Sequence, residues 1–426
     1  MIAATTPKGA LVLAALVGAF ALSALAGNAA AGSGSPTPVN AVEGQPFNGT
    51  VATYTSTATP NQRFLAQAFL DLLARSVGPA ELGTFGAFLG NGGTRTQVAH
   101  ALLAGDEYRS GLVDTIYVTF LRRPASPAEA AAGVAFLTGG ATDEQLKSFV
   151  LGSSEYLATQ GAGTVAGFLG ALYRDVLARR IDAAAQSLYT QALAGGMTRA
   201  DVALAVLTSV EARQDLVRAL YAELLHRPAG ALELQGFVDA LANGASDEDV
   251  SAALVGSDEY FAHVPASFAS ATIDWGDGSP GSALPVGGGS VVGSHTYGAA
   301  GSYPLTVVVH DLDGAVTING TATVADAPLV ATPFSFTVAK KTTFTKTVAV
   351  FSDANAGSTV ADFTASIAWG DGSHSTGTVT ALPGGGFAVG GSHRYDSKGS
   401  YSVAVHVQDV GGSSADTVAK VGVTSK

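Results

Sequence analysis

The chain has 426 residues, 22 Lys and Arg against 34 Asp and Glu, a formal net charge of -12 and no cysteine. That balance argues against a nucleic-acid binder, which needs a basic stripe to displace counterions from phosphates, and it disfavours anionic membrane surfaces for the same reason. Without cysteine there are neither disulfides nor thiolate metal sites, so packing alone must hold a chain longer than one typical core.

At the N-terminus Lys8 precedes an apolar run from Ala10 to Ala26 that ends in Ala24-Leu25-Ala26, the small-x-small form accepted by signal peptidase. Residues 1–26 are expected to be a secretory signal peptide and residues 27–38 a linker. The run is short and weakly hydrophobic for a bilayer span, and no other stretch is apolar for longer. The mature chain is therefore expected to be secreted or at the cell surface, with no transmembrane span.

Residues 61–264 carry a fourfold repeat, in units of about 63–111, 112–161, 168–216 and 217–264. Its anchors are Arg75, Arg123, Arg179 and Arg227, and then Glu107, Glu155, Glu211 and Glu259, each series spaced by 48, 56 and 48 residues. Each unit opens with an amphipathic helix carrying Phe69, Tyr117, Tyr173 or Tyr221 six residues before its arginine. A second segment ends at Gly92-Gly93, Gly139-Gly140, Gly195-Gly196 and Asn243-Gly244, where glycine tolerates the left-handed close of a helix. A third helix starts at Thr94, Thr142, Thr198 and Ser246, with Gln97, Gln145, Asp201 and Asp249 placed as capping-box partners. One such unit cannot bury its own apolar face, so neighbours must pack together. The extra eight residues between the second and third units include Gly161-Ala162-Gly163-Thr164 and read as a connector, so two paired lobes are expected.

The repeated aromatic reads as a core anchor. Each arginine sits near a helix C-terminus, where a cation is favoured, and is expected to bridge to the later glutamate of its own unit, with a repeated recognition site as the alternative. The third unit has Ala212 where Tyr108, Tyr156 and Tyr260 stand in the others, which weakens a shared binding residue. Phrases such as Asn61-Gln62-Arg63-Phe64, Ala171-Leu172-Tyr173-Arg174-Asp175-Val176-Leu177 and Gly256-Ser257-Asp258-Glu259-Tyr260 resemble the bacterial domain-of-unknown-function family 4214. The resemblance covers about Asn61 to His263 and implies a secreted or cell-surface bacterial protein, often multidomain, with no established activity to carry over.

Beyond Pro265 the composition changes to Val, Thr, Ser and Gly in short alternating runs, the pattern of antiparallel strands. Two copies match: Trp275-Gly276-Asp277-Gly278-Ser279 with Trp369-Gly370-Asp371-Gly372-Ser373, His295-Thr296-Tyr297 with His393-Arg394-Tyr395, Gly301-Ser302-Tyr303 with Gly399-Ser400-Tyr401, and Asp311 with Asp409. This series resembles the polycystic-kidney-disease-type domain, an immunoglobulin-like β-sandwich, which implies an extracellular spacer or a module contacting protein or polysaccharide. The first copy lacks room for its front strands, yet Phe47 to Tyr54 matches Phe344 to Phe351 and lies before the helical block. The helical repeat is therefore expected to be inserted in a loop of the first sandwich, built from residues 39–60 and 265–325, with the second sandwich at 330–426. A degenerate β segment pairing elsewhere is the alternative. The expected class is a multidomain α + β chain: an all-helical fourfold repeat inserted in or preceding two immunoglobulin-like β-sandwiches.

No nucleophile elbow, zinc helix, phosphate loop or dinucleotide fingerprint is present, so no catalytic residue and no organic cofactor is expected. His295 and His393 occupy matched motif positions and read as fold-supporting. Calcium is a possible ligand, with Asp274, Asp277, Asp311 and Asp313 as turn carboxylates that a hard cation could use, although Asp-Gly is also an ordinary turn pair. The expected function is a noncatalytic surface scaffold or adhesion-type protein binding an extracellular protein or polysaccharide. A carbohydrate-binding accessory module and a cell-envelope polysaccharide hydrolase stay open as alternatives.

Overall fold

The computed structural model describes residues 32–312 and 314–425, so the expected signal peptide and Asp313 lie outside the described residues. Two compact units form: a helical one from Thr59 to Ala266, and a β unit assembled from the residues before and after it. No described helix is long and apolar enough to cross a membrane.

In the helical unit the first helices of the four repeats are Pro60–Leu73, Asp106–Leu121, Val165–Leu177 and Val210–Leu224. The second helices are Pro79–Gly90, Pro127–Thr138, Ala183–Ala194 and Ala231–Ala242. They stop at Gly92, Gly140, Gly196 and Gly244, whose φ of +92° to +100° would strain any side chain. The third helices are Arg95–Leu103, Asp143–Gly152, Arg199–Leu207 and Asp247–Val255, and all four begin with a reciprocal capping box, each cap worth about 1 kcal/mol.

The segments carrying Glu107 and Glu211 run straight on into the next first helix, whereas the one carrying Glu155 is a separate short helix, Ser154–Thr159. The 48- and 56-residue spacings thus distinguish a continuous helix from one broken at Gly161 to Thr164. Third helices pair across repeats at glycines: a Cβ on Gly152 would lie 2.6 Å from the Ala200 nitrogen, and one on Gly256 would lie 2.7 Å from that of Thr96. Repeat two accordingly packs on repeat three, and repeat four on repeat one. A buried core from Val113 to Val206 spans the Gly161 turn, so this connector lies inside a lobe and does not divide two lobes.

The first sandwich pairs a three-stranded sheet (Ser33–Pro36, Pro46–Thr55, Ser290–Thr296) with a five-stranded one (Val39–Val42, Gly314–Ala325, Gly301–Asp311, Ser270–Asp274, Ser282–Pro285). Phe47 lies opposite His295, and Val39 opposite Ala322 in a parallel pair, so strands from both sides of the helical unit share each sheet. The second sandwich repeats the plan within one stretch of chain: Phe344 lies opposite His393, and Phe336 opposite Val421 in a parallel pair. A β-bulge falls at matched places, between Thr50 and Ala52 and between Thr347 and Ala349. Residues 354–362 close in the second copy the connection that in the first holds the whole helical unit.

The expected linker at 27–38 is corrected, because Ser33–Pro36 is a strand paired with residues 52–55. Its Ser-Gly composition hides this, since ladder hydrogen bonds need only the backbone. Gly34 is also required there, as a Cβ would sit 2.1 Å from the Ile318 side chain. Trp275 and Trp369, each 1% exposed, centre the two sandwich cores.

Candidate functional site

Each repeated arginine follows a residue forced into the left-handed region: Ala74, Arg122, Ala178 and His226 have φ between +49° and +59°. Such a conformation costs about 1–2 kcal/mol in a non-glycine residue, and it turns the next side chain back over its own helix. The guanidinium carbons of Arg75, Arg123, Arg179 and Arg227 lie 5.0 to 5.3 Å from the ring centroids of Phe69, Tyr117, Tyr173 and Tyr221. Arg123 donates to Glu155 through Nε and Nη2 at 2.7 Å. It also donates to Glu129 at 2.9 and 2.8 Å and to the Pro124 carbonyl at 3.1 Å. All five guanidinium donors are thereby used. Arg75 repeats the arrangement with Glu107 and Glu81, and Arg227 with Glu259 and Glu233.

Sequence reasoning missed Glu81, Glu129 and Glu233, although they recur at the same spacing as the arginines. The third repeat has Ala185 at that position, and Arg179 keeps Glu211 at 2.6 and 2.7 Å, with Asp182 at 3.6 Å. The Arg123 guanidinium, with Ser126, holds Glu129 down at about 2, and Arg227 holds Glu233 there too. Arg75, Arg123 and Arg227, with all five donors committed, have nothing left for a ligand, whereas Arg179 commits three, to Glu211 and the Arg180 carbonyl.

In the sandwiches, His295 stacks on Trp275 at 4.8 Å and bonds Asp277 Oδ2 at 2.7 Å, while Tyr297 donates to the Trp275 carbonyl at 3.2 Å. His393, Trp369, Asp371 and Tyr395 repeat this at 4.7, 2.8 and 2.8 Å. Burial opposes ionisation of Asp277, but hydrogen bonds from Ser279 and His295 outweigh it and bring the carboxyl down to about 2.

The turn carboxylates considered for calcium are not brought together. Asp274 caps the Gly276 nitrogen at 3.0 Å, Asp277 is held by His295, and Asp311 accepts from Tyr54 Oη at 3.0 Å. Two other groups of three carboxylates place oxygens within 4.8 Å of one another among the described residues. Glu43, Asp326 and Asp409 meet where the two sandwiches join, Glu43 5% and Asp409 8% exposed. Glu43 accepts from the Ala300 nitrogen at 2.6 Å and Asp326 from the Ser413 nitrogen, while Asp326 Oδ1 is buried without a partner. Burial first, and then the neighbouring Asp326, raise Glu43 and Asp409 above the ordinary carboxylate range. These three residues come from chain positions 43, 326 and 409, so no local motif announces them.

The second group, Asp143, Glu144 and Asp247, lies in the helical unit between the N-termini of two third helices. Lys147 Nζ bonds Asp143 and lies 3.6 Å from Asp247. Burial first, and then the Asp143 charge, push Asp247 up to about 9 and raise Glu144 as well. Asp143 and Asp247 each keep a buried Oδ1 with no hydrogen-bond donor among the described residues, which suits a proton held between two carboxyls. A cleft of about 570 Å³, lined by Lys147, Asp247, Ala212 and Arg213 among others, opens beside them.

A family model described as a domain of unknown function (DUF4214) matches residues 146–216. No curated protein matches the chain in sequence. Among solved structures, the chain is similar to the PKD domain of an M14-like peptidase from Thermoplasmatales archaeon SCGC AB-540-F20, at 23% identity over 24% of this chain and 97% of that one, TM-score 0.17. It is also similar to fibronectin(III)-like modules of Clostridium thermocellum CbhA, at 13% identity over 37% of this chain and 78% of that one, TM-score 0.18. Protocadherin Gamma B2 extracellular cadherin domains are a third, at 12–13% identity for this and a related protocadherin, the Gamma B2 match covering 32% of this chain and 28% of that one, TM-score 0.19.

Proposed function

We propose that this chain is an exported, noncatalytic scaffold in which a rigid helical array, mounted on tandem sandwiches, binds an extracellular protein or polysaccharide. The observation that carries the reading is the splice: the helical unit occupies one inter-strand connection of a sandwich, the position in which such folds carry recognition elements on a rigid support. The saturated arginine networks belong to the scaffold, and the Trp-His-Asp clusters to the sandwich cores. Calcium, in this reading, binds Glu43, Asp326 and Asp409, three hard oxygen donors with no cationic side chain in their hydrogen bonds among the described residues, and stiffens the junction of the two sandwiches.

A hydrolase of cell-envelope polysaccharide has one observation in its favour, the raised carboxyls of Asp247 and Glu144 at a cleft. Against it, Asp143 and Asp247 are 4% and 9% exposed and share Lys147, which leaves no room for a sugar between them. The test is a glycan array together with a pull-down from cell-envelope extract, with and without calcium, and an assay for reducing ends released from envelope polysaccharide. A specific protein or glycan partner without release supports the scaffold. Release that is lost in Glu144→Gln overturns it.

A further inference from the structure

The helical unit contains its own internal comparison. Repeats one and two match repeats three and four at an offset of 104 residues, and two clefts lie at matched places. Leu207, Arg213 and Leu216 line a cleft of about 570 Å³, and their counterparts Leu103, Arg109 and Leu112 line one of about 280 Å³.

Three departures separate the halves, all around the same arginine. Ala212, which lines the larger cleft, stands where the first half has Tyr108, a largely buried ring beside Asp143 and Glu248 of the smaller one. Asp106 and Thr138, whose oxygens lie 3.4 and 3.3 Å from Arg109 Nη1, are replaced by Val210 and Ala242, which offer no acceptor. Arg213 consequently makes no side-chain hydrogen bond or ion pair among the described residues. The other cation of the cleft, Lys147, is taken by Asp143 and Asp247. Of the carboxylates, Asp175 is held by Arg174 and by Tyr156 Oη, Asp215 by Arg218, and Glu144 is raised by burial and by the Asp143 charge. Phe120, Leu204 and Leu241 supply an apolar lining. The larger cleft thus has the size of a small-molecule site, an apolar wall with alanine in the place of a tyrosine, and one uncommitted guanidinium. A guanidinium pairs best with a planar carboxylate, through two parallel hydrogen bonds.

We propose that this cleft binds a small aromatic carboxylate, its ring taking the volume that Tyr108 takes in the matching half and its carboxylate pairing with Arg213. The site is independent of the scaffold's macromolecular partner and stands or falls separately from it.

The test is titration of the full mature chain with 4-hydroxyphenylacetate by calorimetry, with 4-methylphenol as the analogue lacking the carboxylate. Saturable binding is expected, at least tenfold weaker for 4-methylphenol and for Arg213→Gln, unchanged in Arg109→Gln, and abolished in Ala212→Tyr, which copies the closed half. The Arg213 and Arg109 variants change half-buried surface residues and keep the test valid if Ala212→Tyr does not fold. Absence of saturable binding to the wild-type chain overturns the proposal. So does binding indifferent to Arg213 or to loss of the carboxylate.

Discussion

Replacing Asp247 with Asn tests whether the centre of the helical unit is held together by a proton. The wild-type carboxyl has an ordinary value of 3.8 when unfolded and is pushed up to about 9 in the fold, by burial first and then by the Asp143 charge. A raised folded value means that folding takes up a proton. The stability linked to this group is full below about pH 3.8 and is lost progressively as pH rises toward 9. Each pH unit in that window is worth about 1.4 kcal/mol, so between pH 5 and pH 7 the helical unit loses about 3 kcal/mol through Asp247, and Glu144, also raised, acts in the same direction. An asparagine stays neutral and still offers an N–H to Asp143. Asp247→Asn is therefore expected to flatten the pH dependence and to be more stable than wild type at pH 7, by an amount that grows with pH. Urea unfolding followed by helical circular dichroism at several pH values measures this. Parallel pH profiles for the two proteins, or a variant destabilised throughout, would refute the shared proton.

Arg75→Ala is expected to cost on the order of 1 kcal/mol after solvent screening and to lower the thermal midpoint more than Arg179→Ala, because Arg75 holds two carboxylates at close range and Arg179 one; thermal unfolding of both variants compares them. His393→Ala removes the stack on Trp369 and the Asp371 hydrogen bond, an expected loss of about 1–2 kcal/mol to be read from chemical denaturation of the β unit. Calcium is expected to raise the unfolding temperature of the β unit, chelation to reverse the rise, and Asp326→Asn to abolish it, while magnesium does less because it sheds water reluctantly; equal midpoints with calcium and with chelator would remove the ion from the account.

Much of the helical unit is visible in the sequence because its determinants are local. The capping hydroxyls at Thr94, Thr142, Thr198 and Ser246, the glycine stops, and the 48- and 56-residue spacings of arginine and glutamate all report on the few residues around them. The matched Trp-Gly-Asp-Gly-Ser, His-x-Tyr and Gly-x-Tyr phrases do the same for the sandwiches, since each set of side chains closes one cluster around a tryptophan. The strand Ser33–Pro36 escaped, because what holds it is a partner strand whose backbone carries no side-chain signature.

Sequence by itself determined that a helical block is set among strands, that its helices recur four times, and that two sandwich copies share a motif. Only the tertiary structure decided that repeat two packs on three and four on one, through the contact surfaces opened by Gly152 and Gly256. It alone brought Asp143 to Asp247, and Glu43 to Asp326 and Asp409. It also set Ala212 in the wall of a cleft beside Arg213, whose side chain has no partner among the described residues. The physical reason is one of range: caps, stops and alternation act within a few residues, whereas burial, shared protons and cavities depend on groups tens to hundreds of positions apart that only the packed chain makes neighbours.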